Sequence, residues 1–152
     1  MLRSWLAMEH IKAHWQESDD EQELRQKFLV ELPERFVYPF VISHQGTEIG
    51  YIQYYDAARV GGGWWESEPN GTFGIDLLIG NPKLIGKGFG PAIINDFISF
   101  LKTREPAATS IIIDPAPSNA RAIRAFEKAG FRPEGEIATP GGKALLMRFA
   151  LA

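Results

Sequence analysis

Gly86-Lys87-Gly88-Phe89-Gly90 follows an apolar run, Gly74 to Ile79, and precedes Pro91, a residue suited to the first turn of a helix. A glycine-rich turn from strand to helix aims several backbone N–H groups at one point, and the helix end adds partial positive charge. Such a turn can seat a phosphate or pyrophosphate, although tight packing alone also calls for glycine there. Asp76 lies inside the preceding apolar run. A carboxylate in that setting is costly without a partner or a task. Either it binds an ammonium and takes its proton, or neighbouring backbone satisfies it. Asp114 ends a second apolar run, Ile111 to Ile113, at the side of a sheet where α/β sites gather. It could equally be a turn residue before Pro115.

Trp64 and Trp65 offer flat faces that attract sugars and cations, or they are core aromatics. Neighbours on a strand point opposite ways, so one of each is expected, with Trp64 the candidate for substrate. Glu66 and Glu68 read as a cation-attracting rim or as a solvated loop. His10, His14 and His44 have no spacing that resembles a metal site, and no metal centre is expected.

The elements that must hold these residues follow from periodicity and punctuation. Trp5, Ile11 and Trp15 suggest one short amphipathic helix. A second should start near Asp19 or Asp20 and run to about Leu32, before Pro33. Phe36 to His44 and Thr47 to Asp56 read as a hairpin around Gln45-Gly46. Residues 57 to 72 hold Gly61-Gly62-Gly63 and Pro69-Asn70-Gly71, and are expected to be a loop or a distorted strand pair. Phe73 to Ile79 is the next strand. Ile93, Ile94, Phe97, Ile98 and Leu101 form the buried stripe of the helix after Pro91. Ser118 or Asn119 caps a further helix that Gly130 ends. Two strands, about 132 to 138 and 143 to 151, close the chain. The order indicates an α/β (α+β) sandwich around one mixed, mostly antiparallel sheet.

Composition sets outer bounds. The 152 residues suit a single domain, 1–152, with a substantial core. A net charge of −3 argues against a general nucleic-acid binder, which favours a basic face. The absence of cysteine excludes a disulfide framework, a Cys-ligated zinc and a thioester intermediate on the protein. It fits a cytoplasmic protein. No apolar run approaches the roughly 20 residues of a membrane span, and no secretory signal is recognisable.

That element order, with the glycine turn and the segment from Asp114-Pro115-Ala116-Pro117-Ser118-Asn119 to Ala129-Gly130-Phe131, resembles the GNAT superfamily of N-acetyltransferases. Ile49-Gly50-Tyr51, Gly63-Trp64-Trp65-Glu66, Gly74-Ile75-Asp76 and Ala138-Thr139-Pro140 look like the aminoglycoside 6'-N-acetyltransferases within it. Hydroxamate-siderophore acyltransferases share much of this outline.

The resemblance implies a sheet with splayed central strands, Phe73 to Ile79 and Ser110 to Ile113, with acetyl-CoA in the gap. Its pyrophosphate would sit on Gly86, Lys87, Gly88, Phe89 and Gly90, with Lys87 adding charge. Its pantetheine would run along Leu77, Leu78 and Ile79, touching Asn119. The N–H groups near Leu78 would hold the thioester oxygen. Asp76 would anchor or deprotonate the amine, with Trp64, Glu66 and Asp114 binding the rest of the substrate. Phe126 stands where the family has a tyrosine facing the CoA sulfur, and Ile85 where the superfamily has Arg or Gln. Gly62 and Gly142 occupy two acidic positions of the aminoglycoside pocket.

The family's first strand has no counterpart here, so an exposed sheet edge and self-association as a homodimer, or an N-terminal extension, are expected. The implied activity is direct acetyl transfer to a cationic small-molecule amine, an aminoglycoside 6'-amine foremost. A siderophore-precursor N-acyltransferase and a CoA-binding module with little turnover are the alternatives.

Overall fold

The computed structural model describes residues 1–12, 15, 17–18, 20–61 and 63–151. Helices α1 (Leu2–Leu6), α2 (Glu9–Lys12), α3 (Glu21–Gln26) and α4 (Leu32–Glu34) precede strands β1 (Val37–His44) and β2 (Thr47–Asp56). After α5 (Ala57–Val60) come β3 (Thr72–Ile79), α6 (Phe89–Arg104), β4 (Ser110–Ile113), α7 (Ala120–Ala129), β5 (Arg132–Thr139) and β6 (Gly142–Ala150). The sheet order is β1-β2-β3-β4-β6-β5, antiparallel except where β3 meets β4.

That one parallel junction creates the site. β3 and β4 pair over only three positions, from Thr72 opposite Ser110 to Gly74 opposite Ile112. Beyond them β3 continues to Ile79 while β4 stops at Ile113, so the sheet opens into a gap. The strands splay as expected.

Alternation divides the side chains between two faces. Tyr54, Phe73, Ile75, Ile111, Ile113 and Met147 pack with α6 and α7 in the main core. On the other face Tyr51 and Leu78 pack with Trp5, Leu6, Ile11, Leu24 and Phe28 of the N-terminal helices. Tyr55 and Ile112 pack with Val37, Ala57, Trp64 and Trp65. Gly74 is fixed by this arrangement, because a Cβ there would stand 1.9 Å from the Tyr55 ring.

Several expected boundaries are corrected. The first helix is two short helices, α1 and α2, separated by Ala7-Met8. The second does not stop before Pro33. A π-helical turn over Lys27–Glu31, closed by Leu32 N–H donating to Lys27 O, breaks the usual hydrogen-bond register and runs directly into α4, which carries Pro33. Asp20 is the N-cap of α3, accepting from Gln22 and Glu23 N–H; Asp19 lies outside the described residues. The segment after β2 is not a strand pair but α5 and a 3₁₀ turn over Trp64–Ser67. α6 begins at Phe89, two residues before Pro91.

Candidate active site

A cleft of about 810 Å³ passes through the gap between β3 and β4. On one face of the sheet it is walled by the 86–91 turn and α7, on the other by His10, Ile11 and Trp15. Leu77, Leu78 and Ile79 form its edge along β3. Ladder geometry orients their backbone. The Gly80 N–H donates to Ile49 O at 2.8 Å, toward β2. Residues two apart share a direction along an antiparallel strand, so Leu78 N–H also turns to β2. Leu77 and Ile79 turn theirs into the gap, so the neighbours of Leu78, rather than Leu78 itself, offer donors there.

The glycine turn is open where a ligand would lie. Gly86 and Gly88 take φ values of +76° and +82°, and a Cβ on either would meet nothing within 4 Å. Gly90 has a different reason, since its Cβ would come within 3.4 Å of Ala125 Cβ where α6 crosses α7. Gly88 is the left-handed N-cap of α6, so the free N–H groups of the first turn face the cleft mouth. Pro91 falls inside that turn, where no intrahelical bond is lost. Lys87 is exposed and does not line the cleft, and Phe89 turns away to pack edge-on against His44 at 5.0 Å. At Phe89 the backbone, rather than the ring, is what remains to serve an anion.

Sequence reasoning missed the compensating charge. Arg121, Arg124 and Lys128 lie on one face of α7 and line the same cleft, whose wall contains no Asp or Glu. In a chain of net charge −3, this local excess of cations suits a polyanion. Their i, i+3, i+7 spacing was readable, but the same pattern describes any solvated helix face. Asn119 caps α7, its Oδ1 accepting from Ala122 N–H at 3.3 Å, which leaves the amide N–H₂ as the end available to the cleft. Phe126 lines the cleft and packs edge-to-face on Phe131 at 5.1 Å, so no side-chain hydroxyl stands at that point of the wall.

On the opposite face of the sheet the acidic residues converge. Asp76 receives a hydrogen bond from Gln53 Nε2 at 2.9 Å. Burial pushes its carboxyl up to about 6; the Gln53 hydrogen bond opposes the rise and the charge of Asp114 adds to it. Asp114 is also raised by burial, against a 3.0 Å hydrogen bond from Trp64 Nε1. Tyr55 stands near both carboxylates, and burial followed by their charges lifts its hydroxyl well above the usual range. Two neighbouring carboxyls, both raised by burial, suit proton transfer or cation binding.

The aromatic pair behaves differently from a strand dipeptide. The 3₁₀ turn half-buries both rings against the Ile112 cluster. Trp65 donates Nε1 to Gly61 O at 3.1 Å and tilts on Tyr55, while Trp64 reaches Asp114. The structure therefore joins Trp64 to Asp114. Glu68 is taken out of any free rim by Arg148, which holds it at 2.7 Å and also grips Glu134 and Ser110. Glu66 is exposed at the turn. His10 lines the cleft with Nε2 3.1 Å from Ile79 O. His14 and Gly62 lie outside the described residues, and Gly142 opens β6 directly after the β5–β6 turn, at φ +117°. Among the described residues no cluster of His, Cys, Asp or Glu could hold a metal ion, and no helix is long and apolar enough to cross a membrane.

Residues 1–139 match the family described as acetyltransferase (GNAT) domain. The chain belongs to the GNAT acetyltransferases. It is 39% identical over 152 residues to aminoglycoside N(6')-acetyltransferase type 1 of Klebsiella pneumoniae, across 97% of this chain and 75% of that protein. It is 26% identical over 147 residues to the lysine N-acyltransferase MbtK of Mycobacterium tuberculosis, across 96% of this chain and 70% of the relative. Aminoglycoside acetyltransferase AAC(6')-Ib, solved in complex with coenzyme A and kanamycin, superposes with a TM-score of 0.91 at 38% identity, covering 99% of this chain and 87% of that one. As a GNAT enzyme this chain is an N-acetyltransferase with acetyl-CoA as acyl donor. The open glycine cradle, the gap-facing N–H groups and the cationic wall of α7 fit that donor.

Proposed function

We propose that this acetyltransferase modifies a cationic amine on a small molecule, an aminoglycoside 6'-amine foremost, by direct transfer in a ternary complex. The observation that carries the proposal is the pairing of Asp76 and Asp114 on the sheet face opposite the phosphate cradle, beside the Trp64 indole. An amine bound there lies across the β3–β4 gap from the thioester. A polar, acidic wall favours a polycationic sugar over the apolar acyl chains of the siderophore alternative. The relatives above whose names include aminoglycosides support the same choice.

In this mechanism the 86–90 backbone holds the donor's pyrophosphate, assisted by Arg121, Arg124 and Lys128. Asp76 binds the substrate ammonium and accepts its proton, directly or through water. With a carboxyl near 6 it is mostly ionised at neutral pH, yet close enough to share a proton in the transition state. Leu77 and Ile79 N–H aim into the gap, where negative charge builds on the thioester oxygen. Asp114, held by Trp64, neutralises a second positive group on the substrate. Without cysteine no acyl-enzyme thioester forms, so the acetyl group passes straight to nitrogen.

The test is an amine panel with acetyl-CoA, following CoA thiol release. Kanamycin-type amines should turn over with kcat/KM well above N6-hydroxylysine and simple alkylamines. Faster turnover of hydroxylysine would reverse the assignment, and acetyl-CoA binding without turnover of any amine would leave only a binding module.

A further inference from the structure

β2 presents Tyr51, Gln53 and Tyr55 on the face that carries Asp76. Gln53 stands directly opposite Asp76 in the ladder. Its Nε2 donates to Asp76 Oδ2 at 2.9 Å, and its Oε1 accepts from the Tyr51 hydroxyl at 2.5 Å. We propose that Gln53, oriented by Tyr51, is a positioning residue that ties down one oxygen of Asp76 and presents the other to the incoming amine. The role rests on Asp76 as the group that takes the amine's proton.

Donor and acceptor chemistry fixes the direction of this chain. An ionised carboxylate only accepts, whereas an amide has one donating and one accepting end. A reversed Gln53 amide would set Oε1 against the carboxylate. Tyr51 holds the correct orientation by donating to Oε1. Burial first, then the charges of Asp76 and Glu17, keep its hydroxyl protonated far above the ordinary tyrosine range. The Tyr51 ring is itself wedged edge-on by Trp15 and Phe28, at 5.9 and 5.3 Å. The N-terminal helices therefore reach Asp76 through two side chains.

Tyr51 and Tyr55 face Asp76 from β2, and Asp114 faces it from the end of β4. Glu17 lies beyond Tyr51 and is paired with Lys27 at 2.5 Å; Glu68 lies beyond Tyr55 and is held by Arg148. Gln53 is the neighbour that favours the ionised form of Asp76, against burial and Asp114. A purely structural Gln53 would affect melting and leave proton affinity at Asp76 alone.

Two variants separate these roles. Gln53→Met keeps the side-chain length and removes both hydrogen-bonding ends; Tyr51→Phe keeps the ring and removes the donor. The first readout is the Asp76 carboxyl ¹³C titration in the protein without substrate. Gln53→Met should move it up by about one pH unit, the scale of one hydrogen bond to a charged group. Tyr51→Phe should move it the same way by less. With the amine, Gln53→Met should lower kcat about 10-fold near pH 6.5, less than the roughly 10²-fold or more of losing the general base itself, with acetyl-CoA affinity unchanged. A titration that stays put in both variants overturns the proposal, and Tyr51→Phe decides it alone should Gln53→Met fail to fold. Failure of the amine panel leaves the titration intact as a test, so the two proposals fall separately.

Discussion

Trp64 donates its indole Nε1–H to Asp114 Oδ2 at 3.0 Å, joining the turn after α5 to the end of β4. This contact ties together an aromatic side chain and a carboxylate 50 residues apart in sequence, the two groups proposed above to meet the amine. Trp64→Phe keeps most of the apolar contact and removes the donor. The amine KM should rise about 10-fold, the scale of one hydrogen bond to a charged group, with little change for acetyl-CoA. Equal KM values for the amine in parent and variant would restrict Trp64 to packing.

Asp76→Asn should lower kcat by about 10²-fold or more, the usual size of general-base assistance. It should also change stability with a definite sign. The folded carboxyl binds its proton more tightly than the unfolded one, with a value raised from 3.8 to about 6. The folded state therefore loses stability as pH rises through that window, and the cost is complete above it. The near-isosteric asparagine escapes this cost, so the variant should be the more stable protein at pH 7, by at most about 3 kcal/mol. The difference should vanish below about pH 4, which denaturant unfolding at several pH values would show.

Asp114→Asn removes a like charge that helps raise Asp76. The acid limb of kcat/KM, expected with its midpoint near 6 in the parent, should then move to lower pH. Rate profiles from pH 5 to 8 measure this directly. An unmoved limb would mean that the two carboxylates do not sense each other.

Gly88 adopts a left-handed backbone with open space beside it. Asparagine tolerates that conformation better than most residues, so Gly88→Asn and Gly88→Asp differ chiefly in charge. Both add bulk in the cradle, but the aspartate should weaken acetyl-CoA binding at least about 10-fold beyond the asparagine, consistent with a like charge at a phosphate seat. Calorimetry giving equal affinities for the two would show that no phosphate lies there.

Phe126 leaves the cleft wall without a proton donor at its position. A thiol ionises near about 8.5, so thiolate is a tolerable leaving group near neutral pH without help. Phe126→Tyr should raise kcat by roughly 2- to 20-fold, below the usual range for a general acid. A flat or reduced kcat with acetyl-CoA affinity intact would show that protonation of the sulfur runs by another route.

Local signals carried the parts of this fold that local chemistry decides. The Asn119 cap, the Gly130 stop and the Gln45-Gly46 turn each satisfy backbone groups within a few residues, so the sequence states them openly. Gln53 was invisible for the opposite reason. Its partnership with Asp76 depends on β2–β3 register across an excursion containing α5 and a 3₁₀ turn, and no residue near Gln53 announces it. Trp64 and Trp65 misled because strand alternation was assumed, whereas burial against Ile112 selects a 3₁₀ turn. Pro33 misled because a π turn, which local composition does not reveal, shifts the hydrogen bonds that proline would have broken.

In the proposed mechanism the slot between β3 and β4 would give each reactant its own doorway. With the donor's nucleotide end beside α7 and the amine beside Asp76 on the other face of the sheet, as proposed above, neither would need to thread past the other. Binding order should consequently be free, with dead-end amine analogues noncompetitive toward acetyl-CoA. A single molecule imitating both reactants would have to be waisted, thin enough at the sulfur to pass between two strands and broad only on either side of the sheet.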